Sequence, residues 1–143
     1  MSASTSSVIS VAAPRWLRWN GHADPDRGRL RVIDTPDMPF VVKRFFVIDS
    51  VPKGVVRGGH AHRSCQQVLL AMKGRAEIAA DWGGGRGCYE LVSGGPALWV
   101  PVEVGIEMRF HEENTSLMVL ASHPFDPNDY IAVPNAGAAR PEL

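Results

Sequence analysis

The sequence contains two cysteines, Cys65 and Cys88, which make neither a disulfide framework nor a four-ligand zinc site. It has no surplus of either charge: Lys plus Arg is 15, Asp plus Glu is 15, and the formal net charge at pH 7 is zero. A protein that binds a phosphate backbone carries a clear basic surplus, so no nucleic-acid partner is expected. A local basic pocket for one small anion remains compatible with zero net charge. No stretch approaches the roughly 20 apolar residues of a membrane span, so no membrane partner is expected. The opening MSASTSSVISVAA lacks the basic start and sustained apolar run of a secretory signal. Amphipathic helical stripes are missing too. With 45% hydrophobic and only 21% charged residues, the chain reads as globular rather than disordered. A cytoplasmic protein of one domain is the expectation.

What the sequence does have is punctuation. Fourteen Gly and eleven Pro are spread through 143 residues. Between them lie short β-type runs: Leu30–Ile33, Phe40–Ile48, Val68–Met72, Ala76–Ala80, Tyr89–Val92, Ala97–Val100 and Leu117–Ala121. The turn-rich segments HADPDRG, TPDMP, SVPKG, DWGGGRG, SGGP and HEEN separate them. Short strands at spacings of about 8–12 residues predict an all-β sandwich or small barrel. Residues 1–13 are small and hydroxylated and read as an N-terminal tail. One domain is expected over 14–131, followed by a C-terminal tail over 132–143.

The densest chemical signal is Arg57-Gly58-Gly59-His60-Ala61-His62. In an extended strand residues i and i+2 share a face, so His60 and His62 project side by side, with Arg57 close by. On a bare edge strand both histidines would simply be solvated. Lining a barrel interior, they would put two titratable imidazoles near a permanent cation. The glycine-led HAH, followed by Gln66, Gln67 and a later Gly74, resembles the first motif of the cupins, with Gln67 at the carboxylate position. The second cupin motif is only partly present: Pro101 and Gly105 occur, no histidine follows, and Glu107 is the nearest ligand-capable side chain. Two histidines and a neutral amide are a poor divalent-metal set, so a cupin-type jelly roll without a metal or other cofactor is expected.

Four segments in order, DPDRGRL at 24–30, MPFVVKRFF at 38–46, RGGHAHRSCQQVL at 57–69 and LASHPFDPNDYI at 120–131, are similar to the metal-free cupin family of nucleotide-sugar 3,4-ketoisomerases. The resemblance covers roughly residues 24–131. It implies a homodimer that moves the carbonyl of a dTDP-linked 4-keto-6-deoxyglucose from C4 to C3, with His60 and His62 as proton shuttles. Such a reaction removes a proton from C3, passes through an enediol and reprotonates at C4, work suited to imidazoles titrating near neutrality. Arg57 or Arg27 would stabilise the enediolate. Arg27, Lys43 and Arg44 are the candidate cations for the nucleotide's phosphates. Gln67, Glu107 and Tyr130 complete the candidate substrate contacts.

Three departures from the family pattern stand out. Tyrosines usual after the lysine-arginine pair are replaced by Phe45, Phe46 and Val47; an aromatic and a histidine before Glu107-Met108 are replaced by Gly105-Ile106; and Ala132-Val133 opens a small-residue tail. The first two touch the expected pocket, which keeps two alternatives open: an epimerase on a related keto-sugar nucleotide, or a cupin that binds a sugar nucleotide without turning it over. Tyr130 would offer a phenol in place of the lost ones. Trp82 is expected under a hairpin loop, Trp99 in the core, Trp16 and Trp19 over a sheet or a second subunit, and both cysteines in packed positions. His123 and Asp126 read as turn residues, and Asp129 as less easily dismissed.

Overall fold

The computed structural model describes residues 12–133. Its strands are β1 (Arg15–Leu17), β2 (Asn20–Asp24), β3 (Gly28–Val32), β4 (Arg44–Ile48), β5 (Val56–His62), β6 (Gln67–Lys73), β7 (Arg75–Trp82), β8 (Gly85–Val92), β9 (Ala97–Val100), β10 (Gly105–Phe110), β11 (Ser116–Ala121) and β12 (Tyr130–Ala132). Two five-stranded sheets, β1-β9-β6-β11-β4 and β12-β5-β10-β7-β8, face each other, and β2-β3 form a separate ribbon. All pairings are antiparallel. The all-β sandwich expected from strand spacing is the one observed, in keeping with the cupin-type jelly roll expected from the histidine motif. Most of the expected N-terminal tail, residues 1–11, and the tail beyond Val133 lie outside the described residues. No helix among the described residues is long and apolar enough to cross a membrane.

Alternation explains which side chains meet. In β11 the pattern is half-buried then buried, so Leu117, Val119 and Ala121 turn inward. Leu117 and Val119 join Leu69, Ile78, Leu91, Leu98 and Phe110 in one core between the sheets. The run Val68–Met72 does not alternate, because β6 is covered on both faces. Outside the first sheet, Val68 and Leu70 belong to a second cluster under Trp19, Ile33, Met38 and Phe40.

The structure corrects several expectations in detail. Of the run Phe40–Ile48 only Arg44–Ile48 is strand; Phe40 instead caps the second cluster. The turn expected over HADPDRG tightens to Pro25–Arg27, because its flanks pair as a hairpin in which Asp24 faces Gly28. β10 was not among the expected runs, although Ile106, Met108 and Phe110 alternate inward as a half-buried strand should. Tyr130, Ile131 and Ala132 pair with β5 as a further strand that was not among the expected runs. Trp82 lies under its hairpin, against Gly84 and Gly85. Cys65 is buried, but Cys88 is exposed: it sits opposite Ala79 on the outer face of an edge strand.

One irregularity sets the orientation of β5. His60 pairs with Ile106 and Gly58 with Glu107, so Gly59 is an extra residue and the register shifts there. Gly58 and Gly59 have φ of +95° and +92°, the left-handed region that glycine adopts without strain. A Cβ on Gly58 would lie 2.6 Å from the carbonyl oxygen of Ile106, whereas nothing stands within 4 Å of one on Gly59. Gly58→Ala is therefore expected to cost more than the backbone strain of about 1–2 kcal/mol that Gly59→Ala alone would incur. Urea unfolding of the two variants checks this order; equal losses would remove the steric part of the account.

Candidate active site

A cavity opens between the sheets where β5, β4 and the segment after β11 meet, and its walls include Arg44, Phe46, His60, His62, Gln67 and Tyr130. Ile48, Leu69, Val104, Ile106, Met108 and Val119 supply apolar wall from both sheets. His60 and His62 share the inner face of β5, their ring centroids 5.3 Å apart at 81°. Tyr130 is cross-strand from His62. Its ring centroid lies 4.3 Å from that of His60 and 4.6 Å from that of His62. The phenol thus sits against both imidazoles. On β4, Arg44 faces inward with its guanidinium over Phe46 at 4.6 Å and Phe125 at 5.7 Å, held by cation–π attraction on an otherwise apolar wall.

Asp129 is the member that sequence reasoning left out of the site. Its carboxylate accepts hydrogen bonds from the backbone N–H groups of Ser64 at 2.9 Å and Cys65 at 3.0 Å. Its Oδ2 also lies 3.5 Å from Nδ1 of His62. The available signal was the acid directly before Tyr130 in a matched segment. What it lacked was the fold that brings residue 129 to residue 62. Asp126 has the expected turn role, accepting from the Asn128 N–H, while His123 also stands on the cavity wall with Nδ1 2.7 Å from the Ser122 hydroxyl.

Not every candidate reaches this cavity. Glu107 follows inward Ile106 and precedes inward Met108, so alternation turns it to the outer face, 3.6 Å from Arg109. Lys43 precedes inward Arg44 and is exposed for the same reason. Arg27, 79% exposed at the tip of the β2-β3 hairpin, pairs with Asp24 at 3.4 Å. Arg57 is paired with inward Met108 and its Nε is shielded from solvent, but it is not part of the cavity wall. The interior does not suit the metal that a cupin scaffold suggests: among the described residues no group of three or more His, Cys, Asp or Glu is placed to hold one.

Burial and the neighbouring His60 hold the His62 imidazole down at about 4 against an ordinary 6.5, with Arg44 adding to the depression; Asp129 opposes it by charge and hydrogen bond. His62 is therefore neutral at pH 7. Because its folded pKa lies below its unfolded one, this residue's contribution to stability is complete above about pH 6.5. It is lost as pH falls toward 4, as the unfolded chain takes up a proton that the folded one refuses, and amounts to at most about 3 kcal/mol. Histidine NMR titration should show His62 near 4, and lower still in Asp129→Asn. A normal value in the wild type would contradict the burial argument.

An all-β sandwich with a histidine pair, a phenol and a guanidinium turned into its interior is a cupin-like scaffold with titratable groups at its centre. The chain belongs to the family described as FdtA: WxcM-like, C-terminal, which matches residues 13–136. It is 34% identical over 108 residues, 73% of this chain and 76% of the relative, to a TDP-4-oxo-6-deoxy-alpha-D-glucose-3,4-oxoisomerase of Aneurinibacillus thermoaerophilus. Among solved structures it is similar to the 3,4-ketoisomerase QdtA of Thermoanaerobacterium thermosaccharolyticum, in a variant bound to TDP-4-keto-6-deoxyglucose. That match has 31% identity, 82% of this chain and 86% of the other covered, and a TM-score of 0.77. The 4-keto-6-deoxy sugar epimerase NovW of Streptomyces spheroides, at 18% identity with 88% and 76% covered and a TM-score of 0.71, shares the fold.

Proposed function

We propose that this chain is a 3,4-ketoisomerase of a TDP-4-keto-6-deoxyhexose, with the histidine pair of β5 as its proton-transfer machinery. The observation that carries the reading is the packing of His60, His62 and Tyr130 in one cavity of a chain that belongs to this family. The atoms balance without an oxidant: the C3 proton leaves, an enediol forms, C4 takes up a proton, and a hydroxyl proton passes from O3 to O4. His62, neutral and with Nδ1 turned to Asp129, keeps Nε2 to accept the carbon proton. The imidazolium that results is stabilised by the Asp129 carboxylate, which makes Asp129 a positioning residue. His60 and the Tyr130 phenol then carry the oxygen-bound proton. Gln67 is assigned to the sugar hydroxyls and Arg44 to the nucleotide's charge, while Arg57, set behind the cavity wall, supports the developing enediolate through its charge and not by contact. Arg27, Lys43 and Glu107 stand away from the cavity and would reach substrate only from another protomer. The reaction needs no metal in this scheme.

The deciding experiment is an NMR time course with TDP-4-keto-6-deoxyglucose in deuterated water containing EDTA. A 3-keto product with deuterium at C4 is expected. His60→Asn and His62→Asn should each abolish turnover with little change in Tm. Exchange of deuterium without carbonyl migration would replace this reading with an epimerase. Absence of any exchange would leave a binding protein.

The chain is further proposed to work as a homodimer in the cytoplasm, where free Cys65 and Cys88 suit a reducing compartment. Edge strand β4 turns Phe45, 66% exposed, and Val47, 49%, to solvent beside Val41, 76%; an apolar sheet edge of this kind is normally covered. Sedimentation should give a dimer that Phe45→Glu converts to monomer. A wild-type monomer would refute the assignment.

A further inference from the structure

The arginines of the β2-β3 ribbon lie outside everything described so far. Arg29 stands opposite Ala23 and Arg31 opposite Gly21, so both guanidiniums project from one face over small residues. They converge on the turn between β8 and β9: a Cβ on Gly94 would lie 2.8 Å from Nη1 of Arg29 and 3.2 Å from Nη2 of Arg31. Gly94 has φ of +92°, so glycine serves both the turn and the space the guanidiniums occupy. Arg18 and Trp19 extend this wall around a cavity of about 370 Å³. Trp19 is fixed in place, its Nε1 donating to the Gly95 carbonyl at 3.0 Å, with Arg31 5.8 Å from its ring centroid.

Two guanidiniums directed at one spot repel unless an anion joins them. Elsewhere Arg27, Arg75, Arg86 and Arg109 each lie within 3.7 Å of a carboxylate, while exposed Arg15 and Arg63 stand singly, away from another guanidinium's focus. Among the described residues, Arg18, Arg29 and Arg31 form no such ion pair. In a chain of zero net charge this local excess is concentrated, not diffuse. Planar guanidinium forks match the paired oxygens of carboxylate and phosphate, and several arginines gathered at one place favour the more highly charged phosphate. The location is separate from the histidine cavity: Gln67, which lines that cavity, begins β6, whereas the Gly94 turn lies by the far end of β6, where Ser93 N–H bonds to the Gly74 carbonyl. Seven strand residues span about 20 Å.

We propose that Arg29 and Arg31, with Arg18, form a second anion site that takes a phosphate or diphosphate group. The group has two possible sources, a free phosphate compound or the diphosphate of a sugar nucleotide held by another protomer. The site is probed with inorganic pyrophosphate, followed in amide and indole NMR spectra, so it does not depend on turnover. Saturable shifts are expected at the Trp19 indole and at the Gly94 and Gly95 amides, weakening as salt rises. Arg29→Gln with Arg31→Gln should reduce affinity about tenfold or more. Ala23→Asp, which sets a carboxylate opposite Arg29, should do the same and serves if the double variant fails to fold. Absence of shifts at these groups, or unchanged affinity in the variants, would overturn the proposal. Kinetics of the double variant then separate the sources: a raised KM for the sugar nucleotide assigns the substrate's diphosphate, and an unchanged KM assigns a separate phosphate compound.

Discussion

The arrangement of the site depends on the pairing of β12 with β5. Without that pairing β5 would be a sheet edge, and its two histidines would border solvent. With it, Tyr130 is set opposite His62 and Ala132 opposite His60, and the edge of β5 is covered by a neighbouring strand. Asp129 secures the junction by accepting from two backbone N–H groups just beyond β5. The same carboxylate then faces His62 Nδ1, so one side chain docks the strand and orients the ring. Hydrogen bonds to a charged acceptor of this kind are stronger than those between neutral groups.

The environment around the pair is mostly hydrocarbon, and that decides protonation. Aliphatic and thioether side chains from both sheets line the cavity, and such a wall disfavours charge on His62 more than Asp129 restores it. Phe46 and Ile106, which depart from the family pattern, are both wall residues. Phe46 gives Arg44 a ring to stack on, and Tyr130 brings a phenol to the imidazoles from the opposite sheet.

Alternation sorts the remaining charges. It sends Arg44 in and Lys43 out, Ile106 in and Glu107 out. On the small ribbon it gathers Arg29 and Arg31 on one face, where Gly21, Ala23 and Gly94 leave them room. An electrically neutral sequence therefore carries one interior site built around titratable rings and one surface site built around permanent cations.

Much of this was legible before any coordinates. Gly and Pro punctuation between short apolar runs fixes an all-β chain, and an HAH spaced at i and i+2 puts two imidazoles on one face whichever sheet holds them. The order of four matched segments identified the family. Sequence could not show which face was inward, because period 2 fixes relative sides only. Arg57 illustrates the limit: three residues before His60, it would take the opposite face of a regular strand, and the extra residue at Gly59 returns it to the side of inward Met108. Nor could the chain's order bring Asp129 to His62 or Arg29 to Gly94, separated by 67 and 65 positions. Those meetings come from non-local strand pairing and turn packing, which no local pattern of residues encodes.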